Sequence, residues 1–109
     1  MQRDERQLLA DAQAAEHSGA FALVLECIPA ETAARITAAI KIPTIGIGAG
    51  AGCDRQILVI HDLLNLGPYR VPRHVKSYAD LNATITEAVT RYRDEVREGV
   101  FPGEEQAFQ

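Results

Sequence analysis

Residues 21–28 have the sequence FALVLECI, and this almost unbroken apolar run decides the fold. A continuous apolar run of this length is typical of a parallel strand that is buried on both faces. Pro29 follows and suits the first turn of a helix, which we predict over residues 30–40. The side chains of that helix that we expect to face inward are those of Ala33, Ile36 and Ile40.

The alternation of helix and strand continues on both sides of this stretch. Residues 4–18 predict a helix that ends at Gly19, with Leu8, Leu9, Ala12 and Ala15 on its apolar face. Residues 42–47 predict a second strand. Residues 56–60 favour a third strand, although the start of a buried helix also fits this run. Residues 61–77, which contain two prolines, predict loops and short turns.

A clear amphipathic helix and an irregular tail complete the chain. The helix ends at Gly99, and residues 100–109 have no periodicity. Because strands alternate with helices, the sequence predicts an α/β fold with a parallel sheet. Two or three parallel strands make a poor sheet alone, so we predict that residues 1–109 form a single partial domain, a section of a larger structure. The apolar residues that recur at a 3.6-residue period along this last helix are Leu81, Ile85, Ala88, Val89, Tyr92 and Val96.

Composition excludes several classes of protein. The formal net charge is −4, from 11 basic and 15 acidic residues, which gives no electrostatic drive toward nucleic acid. No apolar run approaches the ~18 residues of a membrane span. Residues 1–6 are mostly polar and precede no apolar signal-peptide core, so we expect a cytoplasmic protein. Cys27 and Cys53 form neither a CxxC pair nor a metal-ligand spacing with the three histidines, so we expect partly buried thiols.

Glu26 is the most informative residue of the chain. It lies near the carboxyl end of the first predicted strand, where functional groups of α/β folds gather. Burial of a carboxylate is unfavourable unless it has a partner or a chemical role. Burial also raises the pKa of a carboxyl group, which suits a general base. From position alone, a catalytic base and a structural carboxylate bonded to a neighbouring loop or arginine both remain open.

A glycine cluster follows the second predicted strand. The stretch Gly46-Ile-Gly48-Ala-Gly50-Ala51 matches the pattern G-x-G-x-x-[GA] of dinucleotide-binding loops. That pattern should open a long helix, whereas here it leads into the predicted third strand. Glycines that line the mouth of a barrel, where substrate or neighbouring backbone comes close, fit this context better.

The remaining polar pairs carry weaker signals. His61-Asp62 follows the third apolar run and could form an acid–base pair or part of a metal site. Neighbours on a strand point to opposite faces, which favours a structural histidine. His17 and His74 lie on polar segments that we expect to be exposed. Glu104-Glu105 in the tail could bind a cation, but a solvated pair fits better.

Five segments, in the right order over nearly the whole chain, resemble signatures of the ketopantoate hydroxymethyltransferase family. In residues 23–29, LVLECIP resembles the family's strand that ends in its catalytic Glu and is followed by Pro. In residues 42–50, IPTIGIGAG resembles the next strand and glycine loop, and residues 54–64, DRQILVIHDLL, resemble the stretch after it. The C-terminal signatures are matched by residues 72–81, PRHVKSYADL, and residues 101–108, FPGEEQAF.

This resemblance implies a fold and a reaction. It implies that the chain is the C-terminal part of a (β/α)8 barrel of the phosphoenolpyruvate/pyruvate superfamily, in a large homo-oligomer. It implies hydroxymethyl transfer from 5,10-methylenetetrahydrofolate to 3-methyl-2-oxobutanoate on the pantothenate pathway, giving ketopantoate. Glu26 matches the proton acceptor, and Mg²⁺ would stabilise the developing enolate as a Lewis acid.

The chain also departs from the family pattern. Arg55 replaces a usual Gly, His74 replaces a common Phe, and Gln106 replaces a common His. The Mg²⁺-binding carboxylates, the Lys that holds the keto acid and a second active-site His belong to the N-terminal half of the family's barrel. None of them has a counterpart in this chain. We therefore expect activity to need that half, and the alternative is a non-catalytic truncated fragment that self-associates through exposed strand edges.

Overall fold

The computed structural model describes residues 4–108. Residues 1–3 of the polar N-terminal segment and the last residue of the predicted tail lie outside the described residues. The described chain divides into two compact units, residues 4–59 with 73–75, and residues 60–72 with 76–108. The prediction of a single partial domain over residues 1–109 stays a prediction.

The first unit contains two helices and a three-stranded sheet. The helices are α1, Glu5–His17, and α2, Ala30–Ala39. The strands are β1, Leu23–Glu26, β2, Thr44–Ile47, and β3, Arg55–Gln56. They lie in the order β1-β2-β3 and are all parallel, which confirms the predicted α/β fold with a parallel sheet.

Both helices follow the sequence prediction closely. The Asp4 carboxylate caps α1 by accepting a hydrogen bond of 2.9 Å from the backbone N–H of Arg6, and Gly19 follows the helix with a φ of 101°. Pro29 is the N-cap of α2, just before its first turn. The three side chains predicted to face inward are buried. Ala33 and Ile36 lie on α2, Ile36 with only 1% of its surface exposed, and Ile40 is the C-cap of the helix.

The core lies between the two helices and one face of the sheet. Leu8 and Leu9 of α1 pack at its margin. Side chains alternate between the faces of a strand, so Leu25 enters this core while Val24 points the other way. The buried apolar residues are Ala12, Leu25, Ile28, Ala33, Ile36, Ile40 and Ala49.

The prediction that β1 is buried on both faces is wrong for the described chain. Val24 is 53% exposed and Glu26 is also exposed. The core formed with α1 and α2 covers only the Leu25 side, so the opposite side of the sheet lacks a covering layer among the described residues. We call this opposite side the open face, and by strand register it carries Val24, Glu26, Ile45 and Ile47.

The third apolar run is only partly a strand. β3 has two residues, and a five-residue helix, α3, covers Ile60–Leu64. The predicted strand over residues 56–60 is therefore too long. The alternative of a buried helix start is wrong as well, because α3 begins only at Ile60 and Ile60 is 56% exposed. The loop prediction for residues 61–77 missed α3, because a helix of about one turn is too short to show a period.

The second unit consists of α3, the long helix α4, Leu81–Arg97, and a 3₁₀ helix, Glu104–Gln106. Asp80 caps α4, and the Asn82 side chain forms two hydrogen bonds with the backbone of Gly67, at 2.9 and 2.8 Å. The predicted apolar stripe lies on α4, yet Val89 is 60% exposed. Among residues 4–108, no helix is long and apolar enough to cross a membrane.

Candidate functional site

Glu26 is the last residue of β1, and it lies on the open face next to Ile47 of β2 in the register. The predicted position at the carboxyl end of a parallel strand is therefore correct. The expected burial is not found, because the Glu26 side chain is exposed in the described chain. Its desolvation would need a further layer of protein, or a ligand, over the open face.

The turn after Glu26 aims the chain toward α2. Cys27 has a φ of 53°, and its backbone N–H donates to the carbonyl of Ile47 at 2.9 Å. This bond holds the carboxyl ends of β1 and β2 together. Cys27 is exposed, which corrects the expectation of a partly buried thiol, while Cys53 is half-buried as expected.

The glycine segment after β2 runs along α2 instead of opening a helix. Residues 48–54 return the chain to the start of β3, which lies parallel to β2. A Cβ atom on Gly50 would lie 2.5 Å from the Ala30 Cβ, and one on Gly52 would lie 2.9 Å from the Ala34 Cβ. These two glycines therefore serve close packing against successive turns of α2. The helix that a dinucleotide-binding loop requires is replaced here by β3.

Gly48 has a different role at the carboxyl end of β2. Its φ is 66°, and an added Cβ would lie 3.1 Å from the His74 ring and 3.2 Å from the Cys27 sulfur. His74 thus lies against the loop that follows β2, although sequence reasoning assigned it no role. No local pattern in the sequence signals this contact, because Gly48 and His74 are far apart along the chain.

Polar contacts brace the opposite, amino end of β2. The Asp54 carboxylate accepts hydrogen bonds from the Thr44 backbone N–H at 2.9 Å and from its hydroxyl at 3.3 Å. The Thr44 hydroxyl also lies 2.9 Å from that of Thr37 on α2. Arg55 is exposed, and its guanidinium donates a hydrogen bond to the Asp54 carbonyl at 2.8 Å. These contacts are structural and lie away from Glu26.

An open depression lies at the carboxyl ends of the strands, next to the start of α2. Its volume is about 950 Å³. Gly48, Gly50 and Gln56 line one side, while Arg73 and His74 line it from the segment that returns to the first unit. The Gln56 side-chain amide donates to the Gly50 carbonyl at 2.8 Å, which fixes the loop wall.

A second hollow, of about 340 Å³, lies beside β1 and is lined by Glu26, Asp11 and apolar side chains of the core. Within residues 4–108, β1 is an edge strand of the sheet, since β2 alone pairs with it. The hollow therefore follows an edge at which β1 has no partner strand within residues 4–108.

The other sequence candidates do not join Glu26 in a cluster. His61 and Asp62 lie on α3 and not on a strand, so the argument from opposite strand faces does not apply to them. Their backbone carbonyls accept hydrogen bonds from Leu66 and Ser77. Glu104 and Glu105 are exposed on the 3₁₀ helix. No group of three or more His, Cys, Asp or Glu residues within 4–108 could hold a metal ion.

One carboxylate has a perturbed pKa, and its role is structural. The Arg35 guanidinium of α2 hydrogen-bonds to the Glu5 carboxylate of α1, and the Thr32 hydroxyl donates to it at 3.1 Å. Both bonds lower the pKa of Glu5 below its usual value, and the bond from Arg35 has the larger effect. This exposed pair links the two helices and lies at the start of α1, away from the carboxyl ends of the strands.

Comparison with known proteins gives a consistent result. Residues 1–104 match the family model described as ketopantoate hydroxymethyltransferase. A 3-methyl-2-oxobutanoate hydroxymethyltransferase of Prosthecochloris aestuarii is 54% identical over 107 residues, which cover 98% of this chain and 39% of that protein. Proteins with the same name from Trichlorobacter lovleyi and Geotalea daltonii are 57% and 58% identical, each over 93% of this chain and 38% of their own length. The chain spans little more than a third of these relatives.

Proposed function

The chain belongs to the ketopantoate hydroxymethyltransferase family, and from this premise we propose that it is the C-terminal part of a (β/α)8 barrel that makes ketopantoate. The barrel would transfer a hydroxymethyl group from 5,10-methylenetetrahydrofolate to 3-methyl-2-oxobutanoate. Relatives that are 51–58% identical carry the corresponding enzyme name. The position of Glu26 at the carboxyl end of β1 is the observation that carries the proposal.

The arrangement of the sheet supports the barrel. In a (β/α)8 barrel the helices cover the outer face of parallel strands, and the inner face is filled by branched apolar side chains. Here α1 and α2 cover one face of the sheet. The open face carries Val24, Ile45 and Ile47, as the inside of a barrel would. Active sites of such barrels lie at the carboxyl ends of the strands, where Glu26 is located.

Glu26 is the proposed proton acceptor. Its carboxylate would take the proton from C3 of 3-methyl-2-oxobutanoate, and the C–H electron pair would move into the enolate. C3 would then bond to the one-carbon unit as one of that unit's two bonds to folate nitrogen breaks. Water would displace the second nitrogen and leave its hydroxyl on the carbon. The proton taken by Glu26 and the proton released by water would go to the two folate nitrogens, giving tetrahydrofolate. Completion of the barrel would cover the open face and desolvate Glu26, which favours a carboxylate acting as a base near neutral pH.

Mg²⁺ is part of the proposal, but residues 4–108 alone do not form a site for it. Residues 4–108 bring together no group of three or more metal-ligating side chains, so they do not fit the ion alone. We expect its ligands in the part of the enzyme that the relatives possess and this chain does not match. In the described chain, the proposed proton transfer therefore depends on Glu26. A cytoplasmic location and a homo-oligomer also stay predictions.

The test uses a hybrid enzyme in which this chain replaces the matching 39% of the Prosthecochloris aestuarii relative. We expect the hybrid to form ketopantoate, and Glu26→Gln to lower the rate at least ~100-fold, since general bases contribute factors of that size. Glu31→Gln is the matched control, because Glu31 is an exposed carboxylate on α2. Equal rates for wild type and Glu26→Gln would reject Glu26 as the base.

A second candidate is a non-catalytic chain that self-associates. The unpaired edge of β1 and the exposed Val24 favour it, because such edges pair with other chains. Sedimentation of the 109-residue chain separates the two candidates. Oligomers that persist when the N-terminal part of a relative is added, with no ketopantoate formed, would favour self-association. Replacement of those oligomers by an active mixed complex would favour the enzyme.

A further inference from the structure

The depression at the carboxyl ends of the strands has a one-sided charge. Arg73 and His74 line it, and no carboxylate does. Arg73 forms no ion pair with any residue in the part of the chain that the structure describes. A concave site lined by a guanidinium and an imidazole, without a competing acid, suits a carboxylate ligand, because Arg presents donors that match both carboxylate oxygens.

The walls of this depression are held in place by contacts that do not involve the Arg73 guanidinium. The Gln56 amide fixes the Gly50 carbonyl, and the His74 ring lies close to Gly48, which has no side chain. The amino end of a helix carries a partial positive charge. Pro29 supplies no side-chain cap to the first turn of α2, so this helix end adds to the positive potential of the depression. The depression thus keeps its shape while Arg73 remains available to a ligand.

We infer that this depression binds the carboxylate-bearing glutamate end of the folate co-substrate, with Arg73 as the main contact and His74 as the second. The inference rests on the proposed function. The keto acid also carries a carboxylate, but its C3 must lie at Glu26, which does not line the depression. A volume of about 950 Å³ also suits a ligand much larger than a five-carbon acid.

The test measures binding and not turnover. Tetrahydrofolate, its tail dimethyl ester and 3-methyl-2-oxobutanoate are titrated separately into the 109-residue chain and into the hybrid enzyme, by calorimetry. We expect Arg73→Gln to weaken tetrahydrofolate binding about 10-fold or more, since hydrogen bonds to charged groups contribute that much. The diester should bind wild type about as weakly as tetrahydrofolate binds the variant, and the affinity for the keto acid should not change.

Two controls separate the inference from a loss of folding. Arg70→Gln removes the same charge from an exposed residue that does not line the depression, and it should leave tetrahydrofolate binding unchanged. Deuterium exchange at C3 of the keto acid needs no folate, so Arg73→Gln should keep this exchange in the hybrid. Failure of the proposed function would instead abolish exchange in the wild-type hybrid.

Four results would overturn the inference. The first is equal tetrahydrofolate affinity in wild type and Arg73→Gln. The second is equal affinity of wild type for tetrahydrofolate and its diester. The third is an affinity change confined to the keto acid, which would assign the depression to that substrate. Absence of tetrahydrofolate binding to both wild-type proteins would overturn it as well, because the hybrid contains every proposed contact.

Discussion

Single residues at the carboxyl ends of β1 and β2 determine the geometry of the candidate site. Glu26 ends β1 on the open face, and Cys27 turns the chain while its N–H bonds to the Ile47 carbonyl. Gly48 then has a left-handed backbone against the His74 ring. The chain that follows β1 and β2 thus adopts, at Cys27 and Gly48, backbone conformations that few residue types adopt without strain.

At the residue scale we predict that Gly48→Val is strongly destabilising. Valine at a φ of 66° is strained, and its Cβ would lie 3.1 Å from the His74 ring. We expect the free energy of unfolding to fall by about 2 kcal/mol or more. Urea denaturation followed by circular dichroism measures this, with Ala51→Gly on the exposed neighbouring loop as the control. A Gly48→Val protein as stable as the control would show that the loop relaxes without penalty.

The sequence predicted the position of Glu26 but not its surroundings. An apolar run with a carboxylate near its end is a local pattern, and it placed Glu26 at the carboxyl end of a strand. The exposure of the Glu26 side chain depends on which elements cover the open face, and no local sequence pattern contains that information. His74 was missed for a related reason. The chain leaves the first unit at residue 60 and returns to it at residue 73, so the place of His74 in that unit depends on the tertiary fold and not on a local pattern.

At the element scale, periodicity predicted the helices well and the short segments poorly. α1, α2 and α4 have ten or more residues, so their apolar faces repeat several times. α3 and β3, with five and two residues, are too short to show a period. The glycine segment was correctly separated from a dinucleotide-binding loop, because the residues after it favour a strand.

The packing of the glycine segment on α2 yields an element-scale prediction. Gly52→Ala would place a Cβ 2.9 Å from the Ala34 Cβ, so we expect a loss of about 1–3 kcal/mol in stability. Ala34→Gly alone should cost about 1 kcal/mol through helix propensity. In the double variant the new Cβ no longer meets the Ala34 Cβ. We therefore expect the double variant to lose at least ~0.5 kcal/mol less stability than the sum of the two single variants. Strict additivity in urea denaturation would contradict this contact.

At the scale of the whole molecule, the described chain has the features expected of one part of the proposed barrel. Its sheet is parallel, is covered on one side and ends in an unpaired edge at β1. The relatives are more than twice as long, and the chain matches 33–39% of each of them. The proposed chemistry therefore divides between this chain, with the base Glu26, and the remaining length of the enzyme, with the expected Mg²⁺ ligands.

Deuterium exchange at C3 of 3-methyl-2-oxobutanoate tests the central claim most directly, because it isolates proton transfer from the one-carbon step. NMR follows the exchange in D₂O with Mg²⁺ and without folate, using the hybrid enzyme and its Glu26→Gln and Glu31→Gln variants. The account predicts exchange in wild type and Glu31→Gln, and a rate at least ~100-fold lower in Glu26→Gln. Exchange at the wild-type rate in Glu26→Gln would contradict it.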